Sequence, residues 1–165
     1  RRAGGVELFP LPAKLHRSCR EAAEHAPILC PSVFPRRAVE PRSPPVAQQL
    51  PFDEGLYGLE LGYSAPYENA PRRNRPDRFL HFVVIAQRGP AAYAVGAEPL
   101  ERATIGERHG RLSFVTEFSV HYDHVVFEWR EDGVRYQASL HAWDDRRATT
   151  ALLRALVATL RPPPP

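Results

Sequence analysis

Residues 124–141 read HVVFEWREDGVRYQASLH, and this stretch decides the fold. Its Asp132-Gly133 pair is the preferred two-residue loop of a β-hairpin, because a type I′ turn needs positive φ at both positions. In the register that this turn sets, Trp129 lies opposite Tyr136 on an apolar side, and the other side is largely polar. A shift of one residue would mix the two sides. The stretch therefore predicts a hairpin with one face in the core.

A final helix is expected to cover the apolar side of the hairpin. Asp144-Asp145 can cap such a helix, because carboxylates are favoured at the positive end of the helix dipole. Pro162 would end it. Apolar residues between these limits recur at helical spacing: Leu152, Leu153, Leu156, Val157 and Leu160. Each element needs a partner for its apolar side, so helix and hairpin should pack together.

Further strands precede the hairpin. Alternation over 57–63 predicts a half-buried strand, and the nearly continuous apolar run Phe79–Ala86 predicts a central strand. Shorter strands are expected at 93–95, 104–105, 112–115 and 118–122, with His109-Gly110 as a candidate turn. The predicted fold class is α+β, a curved antiparallel sheet of about five to seven strands packed on the C-terminal helix.

The N-terminal third is predicted to be an arm outside this domain. Residues 1–12 are expected to be irregular, and helical spacing over Ala13–Ala26 predicts a short helix that ends before Pro27. Residues 31–51 contain six prolines and are expected to form an extended connector. The predicted organisation is a Pro-rich, basic arm over 1–50 and an α+β domain over 51–165 that ends in a helix and a proline tail.

The two cysteines indicate the compartment. Cys19 and Cys30 lie close in sequence among prolines, which favours a disulfide that ties the N-terminal helical segment; two buried free thiols are the alternative. Disulfides persist outside the cytoplasm, so an extracytoplasmic location is expected. The chain has no Met, which indicates a piece of a longer protein, secreted or anchored through a missing N-terminal segment.

Composition limits the partners. No apolar run is long enough for a transmembrane helix. The net charge of +3 is too small to indicate a nucleic-acid protein, so no specific nucleic acid is expected. Residues 1–50 carry eight Lys and Arg against four Asp and Glu, so binding of a polyanion through this arm is one alternative function; a solvated loop face is the other interpretation.

The usual enzyme signatures are missing from the sequence, which favours a protein without catalytic activity. It contains no Gly-x-Ser-x-Gly elbow, phosphate-binding glycine loop, dinucleotide fingerprint or His-Glu-x-x-His motif. Paired carboxylates fall at turns and segment ends, where they act as caps. No catalytic residue is therefore predicted.

Histidines offer one chemical alternative. In the hairpin register His124 lies opposite His141, and His121 precedes His124 by three residues, so the three could bind zinc or copper, with an open position for hydrolysis. A regular strand places His121 and His124 on opposite faces, so a bend would be needed. A histidine pair at the sheet rim is the other interpretation. His81, within an apolar run, is expected to be a buried neutral histidine; the alternative is a histidine on a pocket wall, where a nearby carboxylate would raise its pKa into the range useful for proton transfer.

A groove at the mouth of the sheet is a further expectation. A curved sheet with a helix on one face can leave an apolar groove that accepts a lipid or peptide. The polar loop over 64–78 would form its rim, with the candidate binding residues Tyr67, Arg72, Arg73 and Arg75.

Two parts of the chain resemble uncharacterised exported or lipoprotein-type domains of GC-rich bacteria. One part is residues 124–141 with the following leucine-rich helix that ends at Arg161-Pro162. The other is the segment from Cys19 to Cys30-Pro31. The resemblance implies an extracytoplasmic location and no catalytic residues. The favoured function is a non-enzymatic extracytoplasmic binding or accessory domain for a lipid, peptide or envelope partner. The alternatives are a metal-binding protein or metal-dependent hydrolase, and a polyanion binder.

Overall fold

A computed structural model describes residues 2–35, 45–50, 55–63, 80–88, 97–115, 124–141 and 145–164, with the backbone alone for 45–50, 63, 80–81 and 97–100. The helices are α1 (Ala13–Ala23) and α2 (Arg146–Val157). The strands are β1 (Arg2–Ala3), β2 (Val6–Pro10), β3 (Cys30–Pro31), β4 (Val33–Pro35), β5 (Pro45–Leu50), β6 (Leu56–Tyr63), β7 (Leu80–Gln87), β8 (Ala97–Ile105), β9 (Arg108–Val115), β10 (His124–Glu131), β11 (Val134–His141) and β12 (Leu160–Arg161).

Seven strands form the main sheet, in the order β5-β6-β7-β11-β10-β9-β8. All six pairs of neighbours are antiparallel. The predicted α+β class with an antiparallel sheet is confirmed, and β7 lies in the sheet interior, as its apolar run predicts. Within the described ranges, no helix combines the length and the apolar character that crossing a membrane requires.

The hairpin of β10 and β11 has the predicted register. Trp129 pairs with Tyr136, and His124 pairs with His141. Asp132 has φ 50° and Gly133 has φ 74°, so both turn residues adopt the left-handed conformation that a type I′ turn requires.

Helix α2 packs on this hairpin, as predicted. The Asp145 carboxylate accepts a hydrogen bond of 2.9 Å from the Ala148 backbone N–H and so caps the first turn. The prediction that Leu160 belongs to the helix is wrong. Helix α2 ends at Val157, and Leu160 pairs with Pro31 in a two-stranded sheet of β12 and β3. The leucine is nevertheless buried, because the strand brings it back to the core.

A disulfide joins α1 to β3, which confirms the prediction for both cysteines. Cys19 and Cys30 have Cα atoms 6.1 Å apart, and both residues are buried. Helix α1 ends at Ala23, three residues before the predicted end, because the backbone turns there: the His25 N–H donates to the Ala22 carbonyl. This turn leads to Ile28 and Leu29, which enter the core.

The N-terminal third contains more regular structure than the sequence predicts. The expectation of an irregular segment over 1–12 is wrong, because β1, β2 and β4 form a three-stranded sheet. Strand β5 lies within the expected connector and is an edge strand of the main sheet, so the sheet begins before residue 51. Its first residue is Pro45, and a proline is tolerated at the start of an edge strand because it need not donate there.

The predicted turn at His109-Gly110 is also wrong. Gly106 and Glu107 connect β8 to β9, and Gly110 lies inside β9, opposite Trp129. A Cβ atom on Gly110 would come within 2.8 Å of the Phe127 ring. The glycine therefore makes room for a core aromatic side chain. The strands expected at 93–95 and 118–122 lie outside the described residues.

Three aromatic rings of the hairpin stack in the core. The centroid of Trp129 lies 5.3 Å from that of Phe127 and 5.1 Å from that of Tyr136. Burial raises the pKa of the Tyr136 phenol above its usual value of 10.0, and the carboxylates of Glu131 and Asp132 act in the same direction. The phenol is therefore held in its neutral form in the folded protein.

This shift predicts a loss of stability at alkaline pH. Below pH 10 the Tyr136 phenol is neutral in the folded and the unfolded protein; above it the unfolded chain loses the proton first, so stability falls as pH rises. Tyr136→Phe should reduce this fall, while stability at pH 8 changes little. Urea midpoints of wild type and variant, measured at pH 8 and at a pH above 10, give the size of the effect. Equal alkaline losses in the two proteins would contradict it.

Candidate functional site

The main sheet buries both of its faces, and only one faces the helices. One side, which includes Phe127 and Leu140, shares a hydrophobic cluster with α1 and α2. We call this side the core face. The opposite side is called the second face. Four buried apolar residues of this face lie outside the cluster: Val83, Ile85, Val115 and Val126. Five of the six buried polar residues in the described part of the chain are also there: Gln87, Ser113, His124, Gln137 and Ser139.

Strand alternation places these polar groups together. In β11, Tyr136, Ala138 and Leu140 lie on the core face, so the residues between them lie on the second face. The sequence separates the two faces of the hairpin correctly. It carries no signal that the polar face would be buried, yet Ser139 has no exposed surface and Gln137 is 4% exposed.

Two buried polar atoms stand out on β11. The Ser139 hydroxyl Oγ and the Gln137 amide oxygen Oε1 have no hydrogen-bond partner within the described residues. The Gln137 Nε2 donates to Glu128 Oε2 at 2.9 Å, and Arg135 forms a 2.6 Å ion pair with the same oxygen. Glu128 thus fixes the amide of Gln137. Native proteins leave few buried polar atoms unsatisfied, and such atoms commonly mark a place for water or a ligand.

The histidine pair lies at the far end of the same face. His124 and His141 are direct neighbours, with ring centroids 5.1 Å apart and ring planes at 80°. The Nε2 atom of His124 and the Nδ1 atom of His141 are both buried. His121, the third histidine of the predicted metal site, lies outside the described residues. Among side chains that the structure describes, no three His, Cys, Asp or Glu residues form a group suited to a metal ion.

The structure bears differently on the candidate binding residues of the 64–78 loop and on the basic arm. Tyr67, Arg72, Arg73 and Arg75 lie outside the described residues, so the expected groove rim stays a prediction. In the basic arm, Arg17 and Arg20 of α1 line an open cavity of about 490 Å³ together with Glu21 and Glu24. Charges of both signs therefore line this cavity, and it offers no surface of one sign for a polyanion.

Arg108 is a residue whose importance the sequence does not indicate. Its guanidinium donates to Glu131 at 2.9 Å and to the Leu160 carbonyl at 3.0 Å, and it lies 5.6 Å from the centre of the Trp129 ring. These contacts join the end of the hairpin to the chain after α2. A cavity of about 490 Å³ borders Arg108, but the arginine already donates four hydrogen bonds, to Glu131, Val157 and Leu160.

The second face can bind through hydrogen bonds and apolar contact. The Ser139 hydroxyl is not bonded to any histidine among the described residues, so it forms no serine–histidine nucleophile there. The Gln137 oxygen can accept a hydrogen bond, and Ser139 can donate or accept one. Comparison of the chain with protein-family models, curated proteins and solved structures finds no match.

Proposed function

We propose that this chain is a non-enzymatic binding domain that works outside the cytoplasm and holds a small neutral amphiphile on the second face. The observation that carries the proposal is the pair of buried polar atoms, Ser139 Oγ and Gln137 Oε1, without partners among the described residues. Leaving such atoms unpaired costs about 1–3 kcal/mol each. A ligand that pairs with both recovers this free energy on binding.

Surrounding side chains favour an amphiphile over a wholly polar ligand. Val126 lies opposite Ser139 in β10, and Val83 lies opposite it in β7. Ile85 lies opposite Gln137 in the same way. Two hydrogen-bonding groups thus lie on an apolar floor, which is the usual composition of a pocket for a small organic ligand.

The head group of the ligand should be neutral and carry hydroxyls. Gln137 Oε1 needs a donor, and Ser139 accepts from or donates to a hydroxyl equally well. The Glu128 carboxylate, which is bonded to the same Gln137 amide, is paired with Arg135, so these two charges balance and give an anionic head group no net attraction. A monoacylglycerol meets these conditions, because it has two hydroxyls and one acyl chain.

The disulfide supports the proposed location. Cys19 and Cys30 are joined across α1 and β3, and such bonds persist in oxidising compartments. A domain that binds lipid-like molecules outside the cytoplasm would meet its ligand at the membrane surface or in the surrounding fluid.

Calorimetric titration tests the proposal. We expect 1-monodecanoylglycerol, kept below its micellar concentration, to bind saturably with one molecule per chain. Decanoate, which has the same chain and an anionic head group, should bind more weakly. N-acetyl-trialanine amide tests the peptide alternative. Absence of saturable monodecanoylglycerol binding, or tighter binding of decanoate or the peptide, would reject the proposed ligand class.

Ser139→Ala separates the binding role from a structural role. Loss of one hydrogen bond of about 1 kcal/mol should weaken monodecanoylglycerol binding about five- to tenfold. Without ligand, the stability should stay equal or rise by up to about 1 kcal/mol, because an unpaired buried hydroxyl is removed. Titration and urea unfolding of the variant measure the two quantities.

Ser18→Ala is the matched control for this experiment. Ser18 lies on α1, and its hydroxyl donates to the Lys14 carbonyl, away from the second face. It should leave the affinity unchanged. If Ser139→Ala destabilises the unliganded protein and leaves the affinity as it was, the hydroxyl has a structural role and the proposal fails at this residue.

A further inference from the structure

Arginines gather on the second face near the turns that join β8 to β9 and β10 to β11. In β9, Arg111 precedes Leu112, a member of the core-face cluster. Strand alternation therefore turns Arg111 to the second face. Arg102 of β8 pairs directly with Arg111, so the two side chains lie on the same side of the sheet.

The hairpin adds two more arginines to this side. Trp129 of β10 and Tyr136 of β11 belong to the core-face cluster. Their neighbours Arg130 and Arg135 therefore lie on the second face, and these two residues pair directly. We call the four arginines together the basic patch: Arg102, Arg111, Arg130 and Arg135.

Three members of the basic patch are accessible to an anion. Arg102, Arg111 and Arg130 are exposed, and none of them forms an ion pair or a hydrogen bond with another residue that the structure describes. Arg135 differs, because it forms the 2.6 Å ion pair with Glu128. Glu128 is the single carboxylate among the described second-face side chains of β8–β11, so the patch has an excess of positive charge.

Direct pairing of like charges makes an anion favourable at this place. Arginines that face each other on neighbouring strands repel, which destabilises a sheet. Glu128 faces Arg111 from β10, but its carboxylate is bonded to Arg135. Glu107 and Asp132 are exposed in the two turns, so their charges lie at one end of the patch. An anion between Arg102 and Arg111 would remove the repulsion of that pair.

We propose that the basic patch binds the phosphate head groups of an anionic phospholipid bilayer. The patch extends in two directions, across neighbouring strands about 4.8 Å apart and along them in steps of about 6.6 Å. A bilayer presents its negative charges over a surface, whereas a nucleic acid presents them along an axis. Guanidinium groups form paired hydrogen bonds with phosphate oxygens.

The composition of the second face disfavours single-stranded nucleic acid as the partner. Sheets that bind such strands stack the bases on aromatic side chains. The described second-face side chains of β8–β11 include no Phe, Tyr or Trp. The exposed ring of His109 is bonded to the Thr104 hydroxyl at 2.9 Å, so it has a partner within the sheet.

This surface goes beyond the proposed binding of an amphiphile and does not depend on it. The two places adjoin, because Glu128 bonds both Arg135 of the patch and the Gln137 amide. Contact of the patch with a bilayer would therefore place the proposed ligand position close to lipid head groups.

Titration with sedimented vesicles tests the surface. We expect the protein to bind vesicles of phosphatidylcholine with one fifth phosphatidylglycerol, and not vesicles of phosphatidylcholine alone. Binding should be lost in about 1 M salt, where the screening length falls to about 3 Å. Each arginine near an anionic surface contributes about fivefold in affinity, so Arg102→Gln with Arg111→Gln should weaken binding about twenty- to thirtyfold.

Two matched double variants separate the patch from general charge effects. Arg17→Gln with Arg20→Gln removes the same charge from exposed positions of α1 and should weaken binding less than about threefold. Arg102→Lys with Arg111→Lys keeps the charge and should bind within about threefold of the wild type. Urea midpoints of all three double variants should match that of the wild type.

Three results would overturn the assignment. They are absence of binding to the anionic vesicles, equal losses in the two glutamine variants, and tighter binding to a short DNA duplex than to the vesicles. The vesicles contain no monoacylglycerol, so none of these results depends on whether monodecanoylglycerol binds to the second face.

Discussion

Replacing Phe127 by alanine is expected to lower the free energy of unfolding by about 3–5 kcal/mol. The ring is fully buried, stacks on Trp129 and fills the space that Gly110 leaves open in the neighbouring strand. Truncation removes the transfer free energy of the ring and leaves a cavity where two strands and a helix meet. Urea unfolding followed by circular dichroism measures the loss.

Arg130→Ala is the matched control, because Arg130 lies in the same strand and is exposed. Its effect should stay within about 0.5 kcal/mol, as for most surface substitutions. A loss below about 1 kcal/mol for Phe127→Ala would mean that the aromatic stack is not part of the core. The arrangement of hairpin and α2 described above would then be incorrect.

Removing the disulfide is the second change with a large expected effect. The double variant Cys19→Ala with Cys30→Ala should lose about 3 kcal/mol, because the bond between these residues restricts the unfolded chain. Alanine avoids the buried hydroxyls that serine would introduce. Denaturant titrations of both proteins, with and without a reducing agent, measure the difference.

Reducing agent provides the internal control for this second prediction. It should lower the stability of the wild type to about that of the double variant and should not affect the variant. If the double variant is as stable as the oxidised wild type, packing alone already holds α1 and β3 together, and the bond adds no stability.

The features that the sequence predicts correctly are local. Asp132-Gly133 specifies its turn through backbone conformation, and the alternation on either side then fixes every pair from His124–His141 to the turn. The Cys19–Cys30 bond is predictable for the same reason, because the two residues are close in the chain. In each case a few neighbouring residues contain the whole physical cause.

Features that depend on distant partners were not predictable. Leu160 has helical spacing with the leucines before it, and only its pairing with Pro31 takes it out of the helix. Strand β5 begins at a proline and has no clear alternation, so only its partner β6 identifies it as part of the sheet. Propensity is a weak guide where a tertiary contact supplies the stabilisation.

The same distinction between local and distant causes applies to the candidate site. Alternation in β10 and β11 predicts that Gln137, Ser139 and the two hairpin histidines share a face. Burial of that face depends on what lies over it, which these strands do not encode. The alignment of Val83 with Ser139 depends on how β7 pairs with β11, and no local pattern in either strand specifies that pairing.

Pairing of β12 with β3 has a consequence for biosynthesis. Cys30 and Pro31 leave the ribosome long before Leu160 and Arg161, the residues that they pair with. Strand β3 therefore has no β12 to pair with until nearly the whole polypeptide has been translated. An early Cys19–Cys30 bond would hold this unpaired segment against α1, so disulfide formation and the timing of translation bear on the same step of assembly.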